Sequence, residues 1–435
     1  MSDTHAQHAQ LAFVRQEPIP PAPPPVSAAG PISWMRENLF SSIPYTILTL
    51  VSIYVVYWIL AQTVPWVLNG VWGAESIAEC REILQGTSGA CWSVLGERWN
   101  QLLFGFKFPP DAYWRPSLAF VLLLVCIAPV LFSKLPRKLL VLTAIYPFLA
   151  YFLIWGGSIW VPVMAAAGLV VGYLAFQRLV TQSFAMGFFA GIAATAAFWW
   201  LSGFATPVLA ALVPIELMAI PSRDMGGFML NMILGTVCVS LSLPIGIALA
   251  LGRQSDLLII KWICVIFIEF IRGVPLITLL FVANVVLAYF LPPGSSFDLI
   301  LRVIIMITMF ASAYIAEVVR GGLAALPKGQ YEAAGALGLD YAQSMRLIIL
   351  PQALKISIPG IVNVSVGLFK DTTLVSVISM FDLVGMIRGP ILASTAWNGV
   401  YWELFGFAAA LFFIVCYGIS QYSQWLERQL QTDHR

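Results

Sequence analysis

Apolar residues run along this chain in long blocks separated by short polar stretches, unlike the narrow apolar stripe of a helix on a water-soluble domain. A helix needs roughly 20 mostly apolar residues to cross a bilayer. Blocks of about that length recur at 41–64, 116–132, 139–155, 159–176, 184–203, 226–251, 276–291, 299–319, 358–380 and 403–422. The pattern therefore predicts an all-α, polytopic protein of about ten spans. The apolar stretch 258–272 reads as a cytoplasmic lead-in to the span that follows it, not as a separate crossing.

Composition agrees with burial in lipid. Of the 435 residues, 60% are hydrophobic and only 10% charged, too few polar groups to clothe a soluble globule. A net charge of +2, with no basic patch interleaved with aromatics, gives no case for nucleic acid. The histidines, His5, His8 and His434, all lie in the tails, and the cysteines form no metal-ligand pattern. No phosphate-cradling G-x-x-x-x-G-K-[ST] loop is present, and no catalytic constellation appears. The expectation is a non-enzymatic membrane protein that binds no cofactor of its own and draws energy from a partner.

Short basic loops set the orientation. Lys134, Arg137 and Lys138 crowd one tight loop, and Arg178, Arg253, Lys261, Lys328 and Arg346 mark further cytoplasmic segments. Both termini then lie in the cytoplasm, and residues 65–115 form a loop on the opposite, periplasmic side. The chain divides into a proline-rich, disordered tail (1–38), an accessory membrane region (39–220) containing that loop, a transmembrane core (221–430) that includes a cytoplasmic segment (323–355), and a short tail (431–435). Cys126, Cys238, Cys264 and Cys416 sit in apolar runs as small hydrophobes. Cys80 and Cys91 share the periplasmic loop, where a disulfide and two free thiols are both compatible with the sequence.

Most of the charge at membrane depth falls in the second half. Lys370 and Asp371 lie near the middle of the span 358–380. Such residues line a path or gate, or contact neighbouring helices. Glu269 and Arg272, like Glu317 and Arg320, are spaced to meet on one helix face. Arg272 is followed by Gly273 and Pro275, which break a helix where backbone can face a cavity. Together with Asn284 and Thr372 these residues form the expected translocation path: Arg272, Gly273, Pro275, Asn284, Lys370, Asp371 and Thr372. Asn363, also on a core span, reads as helix–helix glue or a solute contact.

The segment Pro327–Lys355, PKGQYEAAGALGLDYAQSMRLIILPQALK, reads as two short helices around a turn. Pro327 opens the first and Gly338 suits a left-handed cap. Asp340 and Gln343 form a capping-box pattern, and Pro351 is expected to bend or end the second helix. The segment resembles the coupling-loop signature of bacterial ABC importer permeases, with Glu332-Ala333-Ala334, Gly338, Ile348 and Leu350-Pro351 at that signature's spacing. The stretches Glu269–Pro275, Glu317–Gly322 and Phe369–Leu374 look like the polar amino-acid uptake branch, over about Gly226 to Leu430. The long front extension is similar to the larger permease of glutamate/glutamine/aspartate/asparagine importers.

That resemblance implies a type I importer permease core of five spans preceded by about five accessory spans. It implies ATPase subunits that hold ATP and Mg and dock on the coupling segment. It further implies a periplasmic amino-acid-binding protein, a second related permease in a heterodimer, and a bacterial inner-membrane location. An ATP-independent secondary transporter or channel would also place charges at membrane depth, but would have no use for the coupling spacing.

Overall fold

A computed structural model describes residues 30–132, 134–286, 289 and 297–431. The expected tail 1–29, the residues 432–435 and part of the expected span 276–291 lie outside them. Among the described residues nine helices are long and apolar enough to cross a membrane.

The chain forms two compact units. The first comprises the described residues up to Gly70 together with Thr87–Ala90. It holds α1 (Pro31–Asn38) and α2 (Ile43–Leu68). Residues 31–38, expected within the disordered tail, are helical because Pro31 presets the first turn. The hydroxyl of Thr49 donates to the Leu39 carbonyl (2.8 Å) and folds the α1–α2 joint. Helix α2 is apolar on every face and none of its residues is buried, as suits a helix solvated by lipid.

The second unit, Val71–Gly86 with Cys91–Arg435, starts with the extramembrane helices α3 (Ile77–Leu84) and α4 (Ser93–Phe104). Four spanning helices follow: α5 (Trp114–Leu131), α6 (Leu140–Trp155), α7 (Trp160–Leu179) and α8 (Phe184–Leu212). A two-residue antiparallel ladder, β1 (Gly157–Ser158) with β2 (Glu216–Leu217), pairs Gly157 with Leu217. Next come α9 (Gly227–Arg253), α10 (Leu258–Gly273), α11 (Leu276–Phe281), which continues as a π-helical turn through Val286, and α12 (Leu299–Ala324). The segment after α12 contains α13 (Lys328–Ala336) and α14 (Tyr341–Ser344). Last are α15 (Leu350–Asp371), α16 (Leu383–Met386) and α17 (Tyr401–Gln431).

Two expectations about breaks divide. Helix α10 meets α11 at an elbow of 103° at Val274–Pro275. Pro275 cannot donate to α10 and holds Val274 extended (ψ 131°), so the lead-in ends there. Pro351, by contrast, neither ends nor sharply bends its helix: residues Tyr341–Ile378 run on as one helical stretch. A π-helical turn, Met345–Ile349, precedes the proline. Its wider repeat accommodates the missing N–H and the ring that would otherwise crowd the carbonyl four residues back.

The core gathers where α9, α12 and α15 meet. Leu230, Leu234, Ile300, Val303, Ile307 and Val375 are fully buried in one cluster. A second cluster joins Ala250, Ile268, Ile315 and Val319 to Met345, Ile349 and Ala353 beyond α14.

Candidate functional site

The segment Pro327–Lys355 is a short knob on the end of a long spanning helix. Gly338 takes a left-handed conformation (φ +73°) that side chains other than glycine adopt at a cost, and it has open space around it. Asp340 caps α14 by accepting from the Gln343 amide (2.7 Å), while the Gln343 side chain accepts from the Asp340 amide (3.3 Å). Ala334, Met345 and Ile349 anchor the knob inward; Ala334 is fully buried. Glu332 and Ala333 are exposed, as are Leu337 (73%) and Tyr341 (67%) at the tip. Ile348 and Leu350 are half-buried and Pro351 is exposed. An apolar tip outside the spanning helices is the kind of surface that a protein partner covers. The side chain of Gln352 reaches Gln330 (3.1 Å) and holds α13 against α15.

Arg272 and Glu269 do not pair with each other. The Glu269 carboxylate meets Arg253 at the end of α9 (2.8 Å), and Arg272 meets Glu317 on α12 (3.5 Å). The helix-face spacing was satisfied, but each side chain found a closer partner across helices. Glu317 does accept from Arg320, as the spacing predicts. Gly273 and Pro275 form the elbow and are exposed. The Asn284 carbonyl, in the π-helical turn after α11, accepts from Arg302 (3.3 Å).

Lys370 and Asp371 do not lie in mid-helix. Helix α15 ends at Asp371, and Thr372–Ile378 continues as a tighter 3₁₀ helix. Lys370 is exposed and Asp371 half-buried, and no ion pair reaches either among the described residues. Asn363, seven residues before Lys370, is exposed on the same helix.

Thr372 is fully buried in a polar knot that sequence reasoning missed. Its hydroxyl donates to Phe369 O (2.7 Å) and accepts from Asn231 Nδ2 (2.9 Å). The same Asn231 amide donates to Asp382 (3.2 Å), and its carbonyl oxygen accepts from the Leu383 amide (3.1 Å). Asp382 caps α16 by accepting from Gly385 N (2.9 Å) and Val384 N (3.3 Å). Burial pushes the Asp382 carboxyl up to about 6, against the opposing pull of its hydrogen bonds. The knot thus fixes the start of α9 to the 3₁₀ turn and to α16. A single asparagine inside an apolar block was the available signal for Asn231.

Arg115 is a second omission and an exception to the rule that charge sits in the later half. It is 2% exposed on α5 and donates to the carbonyls of Leu153 (2.7 Å) and Met218 (2.9 Å), tying α5 to the end of α6 and to β2.

Cys80 and Cys91 are joined by a disulfide, with their Cα atoms 6.1 Å apart. The small cap they staple packs on residues 383–404: Ile77 N donates to Ala396 O (2.9 Å), Cys91 N to Glu403 (2.9 Å), and the buried Trp397 indole to Glu97 (3.1 Å). No group of side chains suited to hold a metal ion occurs among the described residues.

Comparison with known proteins places this arrangement. Residues 242–427, from mid-α9 to α17, match the family described as binding-protein-dependent transport system inner membrane component. The chain is 52% identical to the glutamate/glutamine/aspartate/asparagine transport system permease protein BztC of Rhodobacter capsulatus, across the whole of both chains. It is 37% identical to the inner membrane amino-acid ABC transporter permease protein YhdY of Escherichia coli, over 95% of this chain and 96% of that one. A chain in the crystal structure of an amino acid ABC transporter with histidines is 30% identical, covering 47% of this chain and 92% of its own (TM-score 0.42). With an all-α membrane fold and full-length relatives of this kind, the chain belongs to the amino-acid ABC transporter permeases, in the family of binding-protein-dependent inner-membrane transport components.

Proposed function

We propose that this chain imports polar and acidic amino acids, of the glutamate, glutamine, aspartate and asparagine type, by alternating access driven by a partner ATPase. The observation that carries the reading is the coupling knob. Its exposed apolar tip is rigidly capped, and it continues through one helical stretch to Lys370, Asp371 and the buried Thr372. A push on the knob is thereby a push on the proposed path. The substrate class follows the name of the 52%-identical relative.

In this reading ATPase subunits carry ATP and Mg, and this chain hydrolyses nothing itself. A periplasmic binding protein delivers the amino acid between this chain and a second, related permease. The complex resides in a bacterial inner membrane with both termini of this chain cytoplasmic. Glu332, Ala333, Ala334, Gly338, Ile348, Leu350 and Pro351 serve coupling. Arg272, Gly273, Pro275, Asn284, Lys370, Asp371 and Thr372 serve the path or its gate.

The test is Gly338→Asp in the reconstituted complex. Open space around Gly338 leaves room for the side chain, so the permease should fold and insert. ATP hydrolysis should lose its stimulation by loaded binding protein, and uptake should fall at least tenfold. Full stimulation with normal uptake would defeat the coupling assignment. Competition of labelled glutamate uptake by glutamine, aspartate and asparagine checks the substrate class.

A further inference from the structure

Glu269 on α10 and Glu317 and Arg320 on α12 remain without a role, beside Arg272 of the proposed path. In the structure they form one cluster with Arg253 at the end of α9. Arg253 reaches Glu269 (2.8 Å) and Glu317 (3.4 Å); Arg272 and Arg320 also reach Glu317. Glu317 therefore receives guanidinium groups from three helices and is 24% exposed at its side chain. Arg272 is held a second way, its guanidinium 5.5 Å from the Tyr314 ring centre. It occupies the last turn of α10, directly before the elbow to α11.

We infer that Glu317 is a positioning residue for transport, the hub through which movement of the coupling knob reaches the α10–α11 elbow. Helix α12 ends at Ala324 and α13 starts at Lys328, so the knob is joined to α12 by a short link. Nearby, Met345 and Ile349 of the knob pack in the same cluster as Ile268 of α10 and Ile315 of α12. The apolar contact transmits a push but is not directional. The carboxylate supplies direction, because all three guanidinium groups share its oxygen pair, Arg253 being held by Glu269 as well. Without Glu317 three arginines from three helices lose their shared counter-charge and repel. Among the ion pairs of the described residues, the one that then remains to them is Arg253 with Glu269, the more exposed acid at 55%.

The inference rests on the importer reading above, and the experiment separates the two. The complex is reconstituted with its ATPase and binding protein, and amino acid transported per ATP hydrolysed is measured for wild type, Glu317→Gln, Glu317→Asp and Glu269→Gln. If the wild-type complex shows no ATP-linked uptake, the importer reading itself has failed. If it does, Glu317→Gln should keep hydrolysis within twofold while the transport-to-hydrolysis ratio falls at least tenfold. Glu317→Asp should recover part of that ratio, since charge returns at shorter reach. Glu269→Gln, which removes only the exposed arm, should lower the ratio two- to fivefold. A ratio unchanged in Glu317→Gln, or uptake and hydrolysis falling in parallel, overturns the hub. Should Glu317→Gln fail to assemble, an unchanged ratio in Glu269→Gln overturns it equally.

Discussion

The α7–α8 hairpin and the α9–α12 pair solve the same packing problem with different chemistry. In the hairpin, close approach holds the helices, joined by one neutral hydrogen bond from the Trp199 indole to the Ala165 carbonyl (3.1 Å). A methyl placed on Gly172 would lie 1.9 Å from the Thr195 hydroxyl, and one on Gly168 would strike Trp199. Glycines four apart on both helices let backbones meet without any charge between them. Between α9 and α12 glycine contact recurs at Gly246 against Ile315. There, however, an ion pair crosses from Arg253 to Glu317 (3.4 Å), and Asn231 of α9 is buried in the polar knot. Half of the apolar window of α12 is buried but only 11% of that of α8. Steric contact is a fixed shape, whereas hydrogen bonds and ion pairs can exchange partners at modest cost. The accessory hairpin is thus built to stay, and the core is built to switch.

The largest effect that sharpens this contrast is expected from Asn231→Leu. The change strips partners from Thr372, Asp382 and the Leu383 amide at once. The Leu383 amide is left a buried orphan at about 1–3 kcal/mol, and Thr372 and Asp382 each lose one of their hydrogen bonds, so a loss on the order of 3 kcal/mol follows. Thermal melting of the purified complex should drop by several degrees and uptake at least tenfold. An unchanged melt would show that the knot contributes no stability.

Next comes Cys80→Ser. The cap belongs by position to the front half yet packs on residues 383–404 of the core. Opening a disulfide across 11 residues should cost about 2–3 kcal/mol in a chain-entropy account. Uptake should fall a few-fold because the core loop loses its support. Thiol labelling of intact spheroplasts should succeed for the wild type only after reduction; labelling without reductant contradicts the bridge.

Smaller again is Gly172→Val. Overpacking at this contact costs about 1–3 kcal/mol, and the hairpin should splay. Uptake per assembled complex should nevertheless stay within twofold. A fully assembled Gly172→Val complex without transport would break the comparison outright, since it would give the accessory spans a working role.

The smallest effect is a pH dependence. The folded-state pKa of Asp382, about 6, lies above its ordinary value of 3.8. Between those values the native state holds the proton more tightly than the unfolded chain, so this group's contribution to stability falls as pH rises through that window. Relative to wild type, Asp382→Asn should therefore look least stable near pH 4 and improve toward pH 7. A flat difference across that range would mean that the carboxyl titrates normally.

The apolar spans and the coupling knob were legible because both are local. Block length states a crossing, and Gly338, Asp340 and Gln343 write their turn within a few residues. Partners across long separations were not legible. Asn231 meets Thr372 across 141 residues, and no spacing rule reaches that far. Glu269 shows the same limit from the other side: the nearby Arg272 satisfied the helical rule, but the folded chain brought Arg253 closer. Pro351 continues its helix because the wider turn before it takes up the proline, and no residue type announces such a turn in a sequence. Arg115 stands at the head of an apolar block, where interfacial arginines usually face water, so its burial has no local signal.

That wider turn, Met345–Ile349, also sets a phase. An α-helix advances roughly 100° per residue, so one residue more or less here spins everything downstream by about that angle. The exposed tip around Leu337 and Tyr341 and the face bearing Asn363 and Lys370 are clocked against each other by this single irregularity. Deleting one residue from it would leave both surfaces chemically intact and aim them in different directions. Among lineages of such permeases, insertions and deletions should be purged from this stretch more strictly than substitutions, because side chains there can vary while the count cannot.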